Sequence, residues 1–334
     1  MRVLLTSLSL SLSLLITGAQ ADTLASGKIV REKPQLDRVI APDARIEKLG
    51  DGFTWSEGPT WVASERALLF TDVPENTMYR WTERDGVKVF MKPSGYAGAP
   101  IPGVREAGAN GLLAEPEGSV LLADSGTRVV ARLDLKTKQK RALIERYEGK
   151  RFNSPNDVTR TRSGAIFFTD PPYGLEGLNA SKLKEQSVNG VYRLDRDGSV
   201  HLIDGELTFP NGIALSPDER TLYVANSDPD KPIWMAYSLD ATGKPVSKRV
   251  FADASELVKQ KLLGLPDGMK VAADGTLFAT GPGGVHIYTP QGERLGRIDT
   301  GFATANCAFG DDGRTLYLTS HHTLARVPLV MKAR

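Results

Sequence analysis

Six short apolar runs recur along this chain, and any fold it adopts must use all of them in the same way. They are Ala67-Leu-Leu-Phe-Thr-Asp72, Ser119-Val-Leu-Leu-Ala-Asp124, Ala165-Ile-Phe-Phe-Thr-Asp170, Thr221-Leu-Tyr-Val-Ala-Asn226, Thr276-Leu-Phe-Ala-Thr-Gly281 and Thr315-Leu-Tyr-Leu-Thr-Ser320. Their first residues lie 52, 46, 56, 55 and 39 positions apart. Most follow a turn of Gly or charged residues, such as Pro116-Glu-Gly118, Ser163-Gly164 or Asp274-Gly275. Most lead into a second β-like run, such as Met78-Tyr-Arg-Trp81, Gly190-Val-Tyr-Arg-Leu194 or Val285-His-Ile-Tyr288, and then into a third. Three or four short strands per unit, repeated, are the signature of a β-propeller. The runs are near-continuously apolar, which suits strands covered on both faces by stacked blades. The expected fold is therefore all-β, a six-bladed β-propeller with four-stranded antiparallel blades around a central channel. The last unit is short of strands. Residues near Ile46 to Leu49 are expected to supply its outer strand and close the ring, which removes the open edge. The helical signal is weak except over Ala254 to Leu263.

Domain boundaries follow from what the repeats leave over. Residues 1–21 carry Arg2, the apolar Leu/Ser-rich run Val3 to Ile16, and Ala19-Gln20-Ala21, a small-x-small cleavage site. They read as a secretory signal peptide cut after Ala21, which implies export, for a bacterium to the periplasm. The run is short for a membrane-spanning helix, and an uncleaved anchor is the alternative reading. Residues 22–45 are polar and irregular and read as a lead-in segment. Residues 46–334 form one propeller domain.

Charge and cysteine exclude several functions. The 334-residue chain has a formal net charge of +2, and losing Arg2 with the leader leaves +1. So balanced a chain offers no electrostatic case for nucleic acid or an anionic membrane as partner. The basic run Lys136 to Arg141 reads as a solvated turn. Cys307 is the one cysteine, so no intramolecular disulfide forms, and its apolar setting reads as a small buried hydrophobe. No C-x-x-C, H-E-x-x-H or P-loop pattern occurs. The expected oligomeric state is a monomer or weak homodimer.

The chemistry lies upstream of the runs. Nine or ten residues before each stands a carboxylate or carboxamide: Glu57, Asn110, Asn156, Asn211, Asp267 and Asn306. Taken singly, each Asn or Asp beside Gly or Pro is a turn device. Turns alone do not demand one register in six repeats. Stacked repeats would bring these positions together, on the loops leading into the innermost strands, around one channel mouth. Carboxylate and amide oxygens are hard ligands suited to Ca²⁺, or to Mg²⁺ and Mn²⁺ with water completing the shell. Two carboxylates crowded together without a cation would repel, and a divalent ion resolves that. The absence of His and Cys from these positions argues against a dedicated zinc site.

These residues resemble the SMP-30/gluconolactonase/luciferin-regenerating-enzyme-like (LRE-like) family of six-bladed propellers. The resemblance runs from Phe53 to Val327. It rests on Glu57-Gly-Pro-Thr-Trp61, Asn153-Ser-Pro-Asn-Asp-Val158, Phe168-Thr-Asp-Pro-Pro-Tyr-Gly174, Phe209-Pro-Asn-Gly-Ile213, Leu265-Pro-Asp-Gly-Met269 and Ala305-Asn-Cys-Ala-Phe-Gly310. It implies one divalent cation at the channel mouth, with Glu57, Asn211 and Asp267 as ligands. Asn156 is implied as a further ligand or substrate contact. Ca²⁺ is the expected ion, with Mg²⁺, Mn²⁺ and Zn²⁺ as alternatives. Bacterial members often carry Glu-His-Gly where this chain reads Asp124-Ser125-Gly126.

The resemblance implies a metal-dependent hydrolase that opens a sugar lactone to its aldonic acid. In that scheme Asp267 activates water and Glu57 remains a ligand. Asn110 and Asn156 hold the sugar, and the loop around Tyr173 and Gly174 is either part of the pocket wall or a plain surface loop. Two rivals compete: a phosphotriesterase-like or other esterase on the same metal site, and a non-catalytic sugar-binding propeller. Neighbouring residues on a strand face opposite sides, so His321 and His322 do not both line one pocket, and they read as structural.

Overall fold

The structure, a computed structural model, describes residues 22–333. The predicted signal peptide lies outside the described residues. Six antiparallel sheets follow one another in the expected order. The first blade orders Ser56–Val62, Ala67–Asp72, Thr77–Thr82 and Gly86–Met91 from the axis outward. Blades two to five begin on Leu112–Glu115, Val158–Arg160, Pro210–Leu215 and Met269–Val271. The sixth orders Asn306–Gly310, Thr315–Ser320 and Thr323–Pro328, and Glu47–Asp51 pairs with its third strand. The ring is thus closed by the strand expected to close it.

The apolar runs are the second strands of their blades, and alternate side chains explain why they lack polar gaps. Val120 and Leu122 pack toward blade one, among Leu69 and Met78. Leu121, between them, packs toward blade three, among Ile166 and Phe168. Phe167 in turn faces blade four, among Leu222 and Val224. Each second strand therefore feeds two interfaces, and the molecule has six wedge-shaped cores rather than one. The seam between blades six and one holds the heaviest aromatic group. Trp61 stacks on Tyr317 at 5.4 Å, and Phe53 meets Phe70 edge-on at 5.0 Å.

Residues 22–45 are more ordered than their polarity suggests. Lys28–Arg31 adds a fifth strand to blade five, and Asp22–Thr23 adds one to blade six. Between them Leu36 and Ile40 are fully buried in the core shared by blades five and six. Arg31 fastens the return, donating to the Asp37 carboxylate and to the Ala41 carbonyl, each at 2.6 Å. The single α-helix among the described residues, Ser255–Lys259, falls inside the stretch with the helical signal.

Two long connections lie over one end of the ring: the segment between blades one and two, and the segment after Asp170 in blade three. They are joined by main-chain bonds. The Arg105 N–H donates to the Gly174 carbonyl at 2.8 Å, the Glu176 N–H donates to the Gly103 carbonyl at 2.8 Å, and Val104 bridges Leu175.

Candidate functional site at the channel mouth

The six in-phase residues lie at or just before the start of the innermost strands. Glu57, Asn211 and Asn306 are strand residues. Asn110, Asn156 and Asp267 stand two residues ahead of a strand. The expectation of a purely loop-borne ring is corrected to that extent. Main-chain pairing sets their depth. The N–H groups of Asn110, Asn156 and Asp267 donate to the second strand of their own blade, at Ala123 (2.9 Å), Thr169 (2.9 Å) and Thr280 (3.1 Å). Threonines near the ends of the apolar runs then reach across blade boundaries. Thr71 donates to the Asn110 carbonyl at 3.0 Å, and Thr169 donates to the Asn211 carbonyl at 2.6 Å.

The glycines after the ring residues serve close approach. A Cβ on Gly212 would strike the Asp267 carbonyl, and one on Gly268 would strike the Asn306 side chain. These Asn-Gly and Asp-Gly pairs are contacts between blades rather than turn devices.

Five of the six residues line one cavity of about 580 Å³: Glu57, Asn110, Asn156, Asn211 and Asp267. Asn306 does not. Its side-chain oxygen accepts from its own neighbour, the Cys307 N–H, at 2.9 Å, and from the Lys270 ammonium at 3.4 Å. Asp157, out of phase with the ring, is buried beneath it. It accepts from the Val158 N–H at 2.8 Å and from the Ile213 N–H at 3.4 Å, bracing blade three against blade four.

The electrostatics are those of carboxylates lacking counter-ions. Glu57 is 3% exposed, and it accepts from the Gly58 N–H at 2.9 Å, with the Asn306 and Trp55 side chains as further donors beside it. Burial, and then the charge of Asp157, push the Glu57 carboxyl up to about 7. Burial raises Asp267 well above its ordinary range, with further contributions from Glu57 and Asp157. No Lys, Arg or His among the described residues forms an ion pair with either. Nor does any group of three His, Cys, Asp or Glu side chains among them have the spacing to hold a metal. The donor set is two carboxylates plus carboxamides.

Asn211 shows which end of its amide faces the cavity. Ser227 gives its one hydroxyl proton to the Pro266 carbonyl. Its oxygen can then only accept, and it does so from Asn211 Nδ2 at 2.9 Å. Asn211 Oδ1 is left buried without a partner. An unpartnered amide oxygen beside two unpaired carboxylates fits a hard divalent cation.

Sequence reasoning missed much of the wall: Trp55, Arg105, Glu106, Ser227, Gly264, Leu265 and Thr304 also line the cavity. Arg105 donates to Glu106 at 2.6 Å, and burial nevertheless raises the Glu106 carboxyl. Of the two places open to Tyr173, pocket wall or surface loop, it takes the first. Its ring stacks on Phe209 with centroids 5.7 Å apart and planes 15° from parallel. Its hydroxyl is buried beside Ser227 and Asn211, and burial followed by the charge of Asp267 raises the phenol above its ordinary range.

The remaining candidates are structural in their contacts. His321 lies outside the cavity lining. Its carbonyl accepts from the Ser56 N–H at 2.8 Å and its ring meets Trp55 edge-on. His322 packs on Phe302. Cys307 is fully buried and its thiol is pushed up to about 12. In the Asp124-Ser125-Gly126 segment, Asp124 pairs with Lys140 and Ser125 donates to the Pro155 carbonyl at 2.7 Å.

A second cavity, also about 580 Å³, opens on the opposite face between blades two and three. Arg132, Arg141, Arg160, Arg162 and Arg196 line it with Glu115, Glu117 and Asp195. Glu115 accepts from Arg132 at 2.6 and 2.9 Å and pairs with Arg160 at 3.5 Å.

Comparison with known proteins gives this site relatives. The family model for the SMP-30/Gluconolactonase/LRE-like region matches residues 55–322. A gluconolactonase of Zymomonas mobilis is 47% identical over 306 residues, spanning 90% of this chain and 86% of that protein. A solved gluconolactonase from Xanthomonas campestris superposes with a TM-score of 0.80 at 31% identity, covering 94% of this chain and 99% of the other. A regucalcin from Agrobacterium tumefaciens, described as a calcium-binding protein, shares the fold with a TM-score of 0.66 at 20% identity, over 86% of this chain and 94% of its own.

Proposed function

This chain belongs to the SMP-30/gluconolactonase/LRE-like family, and from that premise we propose that it is a hydrolase that opens sugar lactones to aldonic acids. The observation that carries the reading is the pair Glu57 and Asp267, both buried, both facing one cavity and neither paired with a base. A merely structural site would neutralise them. The cavity volume lies in the range of small-molecule pockets, roughly 300–1,000 Å³.

The residues present fit a divalent cation, and we assign Ca²⁺ from their all-oxygen character. Glu57, Asn156, Asn211 and Asp267 would hold it. When bound, it would polarise the lactone carbonyl and balance the two carboxylates. The protein's own groups do the rest. The Asp267 carboxylate takes a proton from the water that attacks the carbonyl carbon. The acyl C–O bond then breaks, and the ring oxygen leaves as a hydroxyl by taking back the proton that Asp267 removed from the water, which returns Asp267 to its carboxylate. Asn110 and Asn156 hold sugar hydroxyls through neutral hydrogen bonds. The side chains of Trp55 and Leu265 supply apolar wall beside them.

The test is acid release from glucono-δ-lactone by the purified protein, after chelation and again after Ca²⁺ is restored. Turnover that is unaffected by chelation sinks the metal assignment. The absence of turnover on any of a panel of aldonolactones sinks the enzyme. We also infer export with cleavage after Ala21. Amino-terminal sequencing of the native protein should begin at Asp22, and a chain that retains Met1 refutes it.

A further inference from the structure

We propose that Asn306, the ring member that stays out of the cavity, is a positioning residue: its carboxamide donates to the Glu57 carboxylate from behind the cavity lining and holds it ready for the cation. This deepens the reading of the mouth as a divalent-cation site and rests on it. Asn306 is buried, and both ends of its amide are committed. The Cys307 N–H at 2.9 Å and the Lys270 ammonium at 3.4 Å approach its oxygen. Both are donors and neither can accept, so the amide is fixed with its NH₂ group on the other side. There it lies within hydrogen-bonding reach of two buried carboxylates, Glu57 and Asp157. The amide nitrogen carries a proton for each of them. From blade six, this one side chain therefore joins Glu57 of blade one, Asp157 at the entrance to blade three and Lys270 of blade five.

The side chain is held where it stands. The Gly268 N–H and the Thr280 hydroxyl both donate to the Ala305 carbonyl, at 2.8 and 3.0 Å, and the Thr319 hydroxyl donates to the Asn306 carbonyl at 3.2 Å. Gly268 lies so close to the carboxamide that a Cβ there would strike it. Trp55, the other side chain that can donate to Glu57, lines the cavity with it. Asn306 lies behind that lining, so its hydrogen bond takes the protein side of the carboxylate and leaves the cavity side to the ion. A ligand tied in this way is oriented before the metal arrives, which is what the outer partners of metal ligands supply. The register that gives five residues to the mouth thus gives a sixth that supports one of them.

Asn306→Leu keeps the bulk of the side chain and removes the donor. Ca²⁺ affinity by calorimetry should fall about 10–100-fold, the usual cost of losing such a partner. At saturating Ca²⁺, kcat and KM for glucono-δ-lactone should stay within about threefold of wild type, because mass action then refills the site. Cys307→Ala is the control. It trims the fully buried neighbour, whose thiol faces the Phe278 carbonyl, and it should lower the melting temperature without changing Ca²⁺ affinity. A merely structural role for Asn306 would lower the melting temperature of both variants and the affinity of neither. If Asn306→Leu does not fold, Asn306→Ser, which keeps an oxygen and loses the amide, takes its place with the same expectation. Unchanged affinity in the Asn306 variant overturns the proposal and leaves Gly58 and Trp55 as the groups that hold Glu57. An equal loss of affinity in Cys307→Ala also overturns it, since packing of the strand would then be the cause. If wild type binds no Ca²⁺, the cation reading itself fails and the proposal falls with it. If wild type binds Ca²⁺ and the Asn306 variant binds it equally well, only the role of Asn306 fails.

Discussion

The protein has two cavities of about 580 Å³, one at each end of the propeller, and they differ in what their carboxylates lack. In the cleft between blades two and three, Glu115 is held by Arg132 and Arg160; burial is the largest single influence and raises its carboxyl, but hydrogen bonds from Arg132 and Ser119 together with the charges of Arg132 and Arg160 outweigh it and lower the carboxyl below the ordinary range. At the channel mouth Glu57 and Asp267 have no such partner, and their carboxyls are raised. Volume does not separate a structural cleft from a reactive one. The state of the charges does: a paired carboxylate is finished, and an unpaired buried one awaits something.

The contrast can be broken most sharply at Asp267. Asp267→Asn keeps the shape and removes the base, and lactone turnover should fall by roughly 10²–10⁴-fold, the span of general-base contributions. Steady-state kinetics at saturating Ca²⁺ reads it, and near-wild-type kcat would end the assignment. Ser227→Ala should come next. It frees the Asn211 amide to turn its NH₂ toward the cavity, and Ca²⁺ affinity by calorimetry should weaken about 10–100-fold, the usual cost of losing a residue that orients a ligand. Unchanged affinity would show that Asn211 is oriented by other means.

The third test is pH, where the two cavities should act with opposite sign. Glu57 titrates near 7 in the folded protein against an ordinary 4.5. Between those values the folded state holds a proton that the unfolded chain has released. Metal-free stability from this group is therefore present below about 4.5 and is lost as pH rises toward 7. Ca²⁺ should then raise the melting temperature more at pH 8 than at pH 5. The lowered Glu115 adds stability above its ordinary range that is lost as pH falls through the folded value. A calcium-induced shift of equal size at both pH values would refute the account of the mouth. The smallest effects belong to the cleft. Glu115→Gln should cost about 1–2 kcal/mol in chemical denaturation, discounted for the partly exposed arginines, with kcat unchanged. Breaking the exposed Arg162–Glu219 pair with Arg162→Ala should cost under ~0.5 kcal/mol.

The blades were legible because each second strand must bury both faces, and that leaves a run without polar gaps. Glu57, Asn110, Asn156, Asn211 and Asp267 were legible because equivalent positions of a closed ring meet. Asn306 shares their register, yet it turns its oxygen to Cys307 and Lys270, and one-dimensional spacing carries no trace of that. Ser227 was missed although Ser125 stands at the same place in blade two and makes the same bond to the proline carbonyl of the next blade, and Arg105 and Glu106 have no counterparts in the other repeats. Arg105 and Glu106 stand on a connection that no repeat predicts. One signal was available and unused. The acidic or amide end of the apolar runs recurs because it anchors the entering segment. Asp72 accepts from the Thr54 and Trp55 N–H groups, Asp170 from the Asn153 N–H, and Asn226 from the Phe209 N–H.

The sixth blade joins the two ends of the chain, since Glu47–Asp51 pairs with Thr323–Pro328. The ribosome delivers the first of these strands long before the second exists. Five blades can form as synthesis proceeds, but the channel cannot become a closed tube until residues near Pro328 have emerged. An unfinished chain would therefore present Glu57 and Asp267 on an open arc, with no enclosed mouth between them. Catalytic competence would arrive in one late step, when the last strand meets the first.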